Sequence, residues 1–407
     1  MKAIELFAGA GGLAMGVRLA GFSSEAMVEW SKPACDTLRL NRARGYPLVA
    51  DWPEPFEGDV RDFDWSTAGQ DIELVAGGPP CQPFSMGGKH QAHDDQRDMF
   101  PATVKIIRAL RPKAFILENV KGLTRASFAN YFQYILLQLE FPEIGLKNGE
   151  AWNLHFERLQ REKTSGSLHF SGLTYNVLPT LVNAADFGIP QKRERVFMVG
   201  FRSDLDVQWS FPAATHSEDA LLHDQWITGQ YWERHQVAQK NRPALADALA
   251  SRVNRLRSKL FAPETRPWRT VRDALMGLPD VLSSAAASVA DHKYQPGAKA
   301  YPGHTGSPLD LPAKTIKAGD HGVPGGENMM VLPDGSVRYF SVRETARLQT
   351  FPDGFVFNRT WTESMRQLGN AVPVMLARVV ASSVATRLLH AEIGRIERLE
   401  LPLKAAA

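Results

Sequence analysis

Cys81 stands in Pro79-Pro80-Cys81-Gln82-Pro83-Phe84-Ser85, where three prolines hold a thiol in a segment no helix accommodates. Each proline fixes φ at about −65° and removes a backbone donor, and Pro83 steers Gln82 away from the α region. The preceding run Ile72–Ala76, closed by Gly77-Gly78, reads as a short buried strand. Cys81 is therefore expected at the carboxyl end of a sheet strand, where open α/β sheets bind ligands. A lone cysteine is more often a small buried hydrophobe. A stiff loop after a strand instead presents the thiol, and its chemistry would be nucleophilic attack as the thiolate. The other cysteine, Cys35, lies at a helix start in Pro33–Leu38 and reads as core filler.

A second constellation suits a nucleoside. Phe7-Ala8-Gly9-Ala10-Gly11-Gly12 between a strand and a helix lets backbone approach a ligand and offers amide donors. It departs from the G-x-G-x-x-G spacing and lacks a following Lys-Ser/Thr, which disfavours NAD and ATP. About twenty residues on, Glu29 ends the second strand, where an acid holds a ribose diol. Trp30 beside it can stack on adenine, and Asp59 in Gly58-Asp59-Val60 can accept from an adenine amino group. Together they describe an adenosine whose other end is not a pyrophosphate, and S-adenosylmethionine fits.

Three further segments lie at strand ends: Glu118-Asn119-Val120, Gln191-Lys192-Arg193-Glu194-Arg195 and Gly369-Asn370-Ala371-Val372-Pro373. Singly, each has an ordinary reading as a helix cap, surface charge or turn. Their joint occurrence, in order, on one sheet argues for a site.

The elements that must position these residues alternate as strand and helix over the first two hundred positions, as in a parallel sheet covered on both faces. Strands are expected at Lys2–Phe7, Glu25–Glu29, Ile72–Ala76, Ala114–Leu117, Tyr175–Val182 and Val196–Phe201, with helices from Leu13 to Leu19 and around Tyr131–Leu139. Glu140–Gly172 loses periodicity and reads as a surface insertion. After Phe201 the chain is irregular to about Gly335, and from Ser341 it becomes regular again. The fold expected is α/β, with a mostly parallel, doubly wound sheet. A discontinuous catalytic domain of 1–201 and 336–407 would be interrupted by a smaller, irregular domain of 202–335.

At 407 residues two domains are the default. Met1-Lys2 leads directly into an apolar strand without a signal peptide, and no apolar run reaches the ~20 residues that span a bilayer. Two distant cysteines form neither a disulfide framework nor a zinc spacing, so the expected setting is reducing and cytoplasmic, without a metal. A net charge of +3 is uninformative, but between Arg234 and Asp273 ten basic residues face three acidic ones. Leu245, Leu249, Val253, Leu256 and Leu260 mark an amphipathic helix there. Its basic face suits either water or a phosphate backbone.

The ordered segments Phe7–Gly12, Pro79–Ser85, Glu118–Val120, Gln191–Arg195 and Gly369–Pro373, with Arg343–Pro352 before the last, resemble the signature of the DNA (cytosine-5)-methyltransferase family, in its prokaryotic or phage restriction-modification form. The resemblance implies the class I S-adenosylmethionine-dependent fold, with 202–335 as target recognition domain. It also implies a reaction. Cys81 adds to carbon 6 of a flipped cytosine, Glu118 hydrogen-bonds or protonates N3, and Arg193 and Arg195 bind the base carbonyl and a neighbouring phosphate. Ser85–Arg97 would close over the base. The family comparison carries Phe7, Gly9, Ala10, Gly12, Glu29, Trp30, Asp59, Val60, Pro80, Met99, Asn370 and Val372 to the cofactor pocket, with S-adenosylhomocysteine as product. The implied partner is double-stranded DNA, approached by a monomer in the cytoplasm at the nucleoid. A cognate restriction endonuclease would make no direct contact. A tRNA cytosine-5 methyltransferase of the same superfamily is the nearest rival, but its Cys-Phe-Thr segment is missing here. A catalytically silent DNA-binding relative would be expected to have lost Cys81 or Glu118.

Overall fold

The computed structural model describes residues 1–80, 98–164, 171–302, 305–319 and 328–400, with side chains to 396. Cys81 and the Ser85–Arg97 segment lie outside the described residues. The chain divides into two compact units, one of 1–182, 195–212 and 377–407, the other of 183–194 and 213–376.

The first unit is built on strands β1 Lys2–Leu6, β2 Ser23–Glu29, β3 Phe56–Glu57, β4 Leu74–Gly77, β5 Ala114–Val120, β6 Tyr175–Asn183 and β7 Glu194–Arg202, ordered β3-β2-β1-β4-β5-β7-β6. β1 runs parallel to β2 and β4, as β2 does to β3 and β4 to β5. β7 is antiparallel to β5, with Arg195 opposite Val120, so its amino end lies at the carboxyl edge of the others. The intervening helices are α1 Gly12–Leu19, α2 Lys32–Ala43, α3 Phe100–Leu110, α4 Ala129–Glu140 and α5 Trp152–Thr164. The fold is thus the expected α/β class, with near-continuous apolar strands because both sheet faces are covered. Ile4, Leu6, Val28, Val75, Phe115 and Leu117 share a core with Ile107, Ile135, Leu139 and Leu159.

The Glu140–Gly172 stretch is not merely a surface insertion. Its helix α5 buries Leu159 and His155, and the imidazole bridges Tyr134 Oη at 2.8 Å and the Ile144 carbonyl at 2.7 Å. The helix was illegible because most of its turns are polar, and a buried histidine fills a position where the apolar pattern expects a hydrocarbon.

The second unit contains β8 His216–Ser217, α6 Glu218–Trp226, α7 Gln230–Arg234, α8 Asp247–Arg257, β9 Arg266–Pro267, α9 Val271–Leu275, β10 Ser307–Pro308, β11 Met329–Val331, β12 Val337–Tyr339, α10 Val342–Leu348 and α11 Trp361–Asn370. It takes in 336–376, which the sequence reading groups with the first 201 residues. Partly buried hydrogen bonds tie that segment in: the Arg343 guanidinium donates to the Ala290 carbonyl, and the Phe357 N–H donates to Asp291.

The last helix, α12 Val374–Glu400, belongs to a stretch long and apolar enough to cross a membrane by length and composition, contrary to the sequence expectation. Its Ala377, Val380, Ala381, Val384 and Leu388 are buried, which is the pattern of a core helix.

Glu5 is anomalous. Opposite Met27 and Ala76 in the sheet, it is buried, and burial pushes its carboxyl up to about 8 from 4.5. The folded state therefore holds a proton that the unfolded chain releases above pH 4.5. Stability falls as pH rises from about 4.5 to about 8 and is then level, a loss of roughly 5 kcal/mol. Glu5→Gln should remove this slope. Urea unfolding should show the variant gaining on the parent between pH 5 and pH 8, and parallel stabilities across that range would contradict the assignment.

Candidate active site

The glycine-rich turn after β1 is shaped by three left-handed residues, Phe7 (φ 54°), Gly9 (φ 55°) and Gly11 (φ 82°). A side chain at Gly9 would meet open space, so the backbone there faces a cradle and not packed protein. The Gly9 N–H donates to Glu29 Oε2 at 2.7 Å and the Ser31 N–H to Oε1 at 2.7 Å. Burial raises the Glu29 carboxyl above its ordinary range, opposed by these backbone donors. The acid is thereby fixed at the strand end beside Trp30, whose ring is 78% exposed. A large aromatic left in water beside an oriented carboxylate suits a flat ligand with a diol. Ala10 and Gly12 are buried in the turn and the first helical position.

Asp59 and Val60 follow β3 at the same edge. Arg61 holds the Asp59 carboxyl below its usual range, through Nη2 at 2.5 Å and Nε at 2.9 Å. Val60 is buried in the core. Cys35, the second thiol, is also buried, donates to the Glu29 carbonyl at 3.3 Å and is pushed up to about 12, which makes it inert.

The entry and exit of the cysteine loop are pinned. Asn119 Nδ2 donates to the Pro79 carbonyl at 2.9 Å, and the Met99 N–H donates to the Pro80 carbonyl at 3.2 Å, closing the base of the loop. Asp98 accepts from the Phe100 N–H at 3.1 Å and from the Tyr131 hydroxyl. Neither Asn119 nor Asp98 was singled out as an anchor, since a strand-end amide and an acid before a helix have many uses.

Glu118 and Arg195 meet across the β5–β7 pair at 2.7 Å, Nε to Oε1, with side chains only 10% and 12% exposed. A β-carbon on Gly78 would stand 3.4 Å from Glu118 Oε2, so the carboxylate sits against the backbone that leads to Cys81 three residues on. One edge of the first unit thus gathers Phe7–Gly12, Glu29, Trp30, Asp59, Pro80, Met99, Glu118 and Arg195.

Arg193 is placed differently, and the expectation that it meets base or phosphate is corrected. Its guanidinium, 1% exposed, donates within the second unit to the carbonyls of Ile316 at 3.1 Å, Gly369 at 2.8 Å and Ala371 at 3.0 Å. Gln191 and Gln349 extend the network, Gln349 donating to the Leu368 carbonyl. Gly369 is required there because a β-carbon would lie 2.3 Å from the Ala318 backbone nitrogen. Alternation along an exposed-looking QKRER run sends Arg193 and Arg195 the same way, and only the tertiary fold separates their roles. The network braces the turn carrying exposed Asn370 and buried Val372. Arg193→Met should cost roughly 2–4 kcal/mol by stranding buried acceptors, measurable by chemical denaturation. Unchanged stability would remove the brace.

The profile described as C-5 cytosine-specific DNA methylase matches residues 1–146 and 156–386. The Type II methyltransferase M.AquIA of Picosynechococcus is 31% identical over 296 residues, 71% of this chain and 93% of that protein. M.NgoPII of Neisseria gonorrhoeae is 29% identical over 389 residues, 94% and 95%. Among solved structures, a prophage-encoded E. coli chain superposes with a TM-score of 0.59 at 20% identity, covering 96% of this chain and 99% of that one. S. pombe Dnmt2 methyltransferase gives 0.52 at 16%, with 96% and 99% covered.

Proposed function

Since the chain belongs to the C-5 cytosine-specific DNA methylase family and is a restriction-modification DNA cytosine-5 methyltransferase, we propose that Cys81, Glu118 and Arg195 form its reacting centre. The observation that carries this is the shielded Glu118–Arg195 pair against Gly78. Carbon 5 of cytosine is a poor nucleophile. The Cys81 thiolate adds to carbon 6, and Glu118 hydrogen-bonds or protonates N3 as charge enters the ring, leaving carbon 5 an enamine carbon. Arg195 holds Glu118 in register and supplies positive charge for the base carbonyl. Once carbon 5 carries the methyl group, loss of its proton expels Cys81 and restores the aromatic ring. Because carbon 6 is inaccessible in a stacked duplex, the cytosine must be flipped out.

S-adenosylmethionine, on which this family depends, supplies the electrophilic methyl group. The open cradle at Gly9, the anchored Glu29 and the exposed Trp30 ring fit it. Phe7, Ala10, Gly12, Asp59, Val60, Pro80 and Met99 complete the pocket in this reading, while Asn370 and Val372 are assigned to the cofactor on the family resemblance alone. Residues 202–335 read the DNA sequence. The enzyme acts as a monomer in the cytoplasm, and its endonuclease is a separate protein.

Trp30→Ala tests the pocket. Stacking on an aromatic contributes about 1–3 kcal/mol, so the Kd for S-adenosylmethionine should rise by about fivefold or more while DNA affinity holds. An unchanged cofactor Kd would overturn the placement.

A further inference from the structure

The helical spacing of Leu245, Leu249, Val253, Leu256 and Leu260 places Leu260 on a packed face, but the structure does not. α8 stops at Arg257, and its Val253 and Leu256 pack with Leu222 while Leu245 and Leu249 lie against them. Leu260 is left 88% exposed and Phe261 79% exposed. Two adjacent large apolar side chains at such an exposed tip are a poor way to meet water and a good way to meet a partner.

The surrounding charge says which partner. Among the basic residues of 234–273, Arg252 is bound to Glu218 and Asp219 at 2.6 Å, Arg234 to Asp224 at 2.9 Å and Arg272 to Asp310 at 2.6 Å. Those pairs brace the second unit. Arg255, Arg257, Lys259, Arg266 and Arg269 flank the tip, are exposed, and form no ion pair with a carboxylate among the described residues. Glu264 is the one acid between them. The mount is stiff on both sides: α8 is packed against α6, Arg266 N–H donates to the Thr215 carbonyl at 2.9 Å, and Thr265 Oγ1 donates to Ser217 Oγ at 2.6 Å. An apolar point flanked in sequence by exposed cations that no described carboxylate neutralises, Arg257 among them donating only to Asn254 and the Trp226 carbonyl, matches a base step between two phosphate backbones, and side chains such as Leu and Phe are those that enter and unstack such steps.

We propose that Leu260 and Phe261 form a wedge that enters the base stack of the DNA duplex this enzyme methylates, with Arg255, Arg257 and Lys259 on the adjoining phosphates. The inference rests on DNA being the substrate. The wedge adds affinity and bends the duplex, and it takes no part in the chemistry.

The test uses the full chain and an end-labelled, unmethylated DNA fragment that it methylates. Leu260→Ser/Phe261→Ser should melt like the parent, bind the fragment about tenfold more weakly, and bend it less by end-to-end energy transfer. Its salt dependence should match the parent. Arg255→Ala/Lys259→Ala should instead flatten the salt dependence by about one logarithmic slope unit per lost phosphate contact. Parental affinity and bending in the serine variant would overturn the wedge while leaving the methyltransferase assignment standing. So would a finding that the parent self-associates through this tip, or binds anionic vesicles through it, with DNA binding unchanged in the variant.

Discussion

Cys81→Ser should abolish methyl transfer, with kcat falling by about 10⁴-fold or more, while affinities for DNA and S-adenosylmethionine stay within about twofold. The thiol ionises at about pH 8.5 when unperturbed, so a useful fraction is nucleophilic near neutrality, whereas a serine hydroxyl is not ionised there. Serine is slightly smaller and equally tolerant of the proline-rich loop, so the fold is not the variable. Nor can the second thiol substitute, because Cys35 is buried with its proton firmly held. Residual activity near the parental level, measured as label incorporated into duplex DNA, would mean that addition to carbon 6 is not the route.

The second large effect is at Glu118. Glu118→Gln keeps the shape and loses the acid, so kcat should fall by about 10²–10⁴-fold, the usual span for general acid–base catalysis. KM values should move little, since the residue acts as charge develops in the ring. Arg195→Met should approach the same loss, because the two side chains meet at 2.7 Å in a shielded setting and neither keeps its register alone. The double variant should be hardly slower than Glu118→Gln. Additive losses would show that the pair acts as two independent groups.

Much of this site was legible because it lies at strand ends, where short continuous apolar runs meet glycine, proline or an acid. Ala114–Leu117 followed by Glu118, and Ile72–Gly78 followed by the prolines, read as adjoining strands, and the pairing of Leu74 with Ala114 bears out that adjacency. What was illegible depends on contacts made at long range. Arg193 and Arg195 are indistinguishable in sequence, yet one is clasped by three carbonyls and the other faces Glu118. Leu260 continues a helical period that the chain itself abandons at Arg257. The largely polar helix α5 was missed because His155 and Leu159 are its only fully buried residues, with Trp152 and Phe156 only partly buried against the core.

Covalent trapping tests the central claim most directly. DNA carrying 5-fluorocytosine at methylated positions offers carbon 5 a fluorine that cannot leave as the proton does, so the adduct formed by addition to carbon 6 should persist. Incubated with S-adenosylmethionine, the enzyme should yield a denaturant-stable protein–DNA species whose cross-linked peptide, by mass spectrometry, contains Cys81, and Cys81→Ser should yield none. Parental methylation of ordinary DNA with no such species, or a cross-link mapped to another residue, would contradict the account.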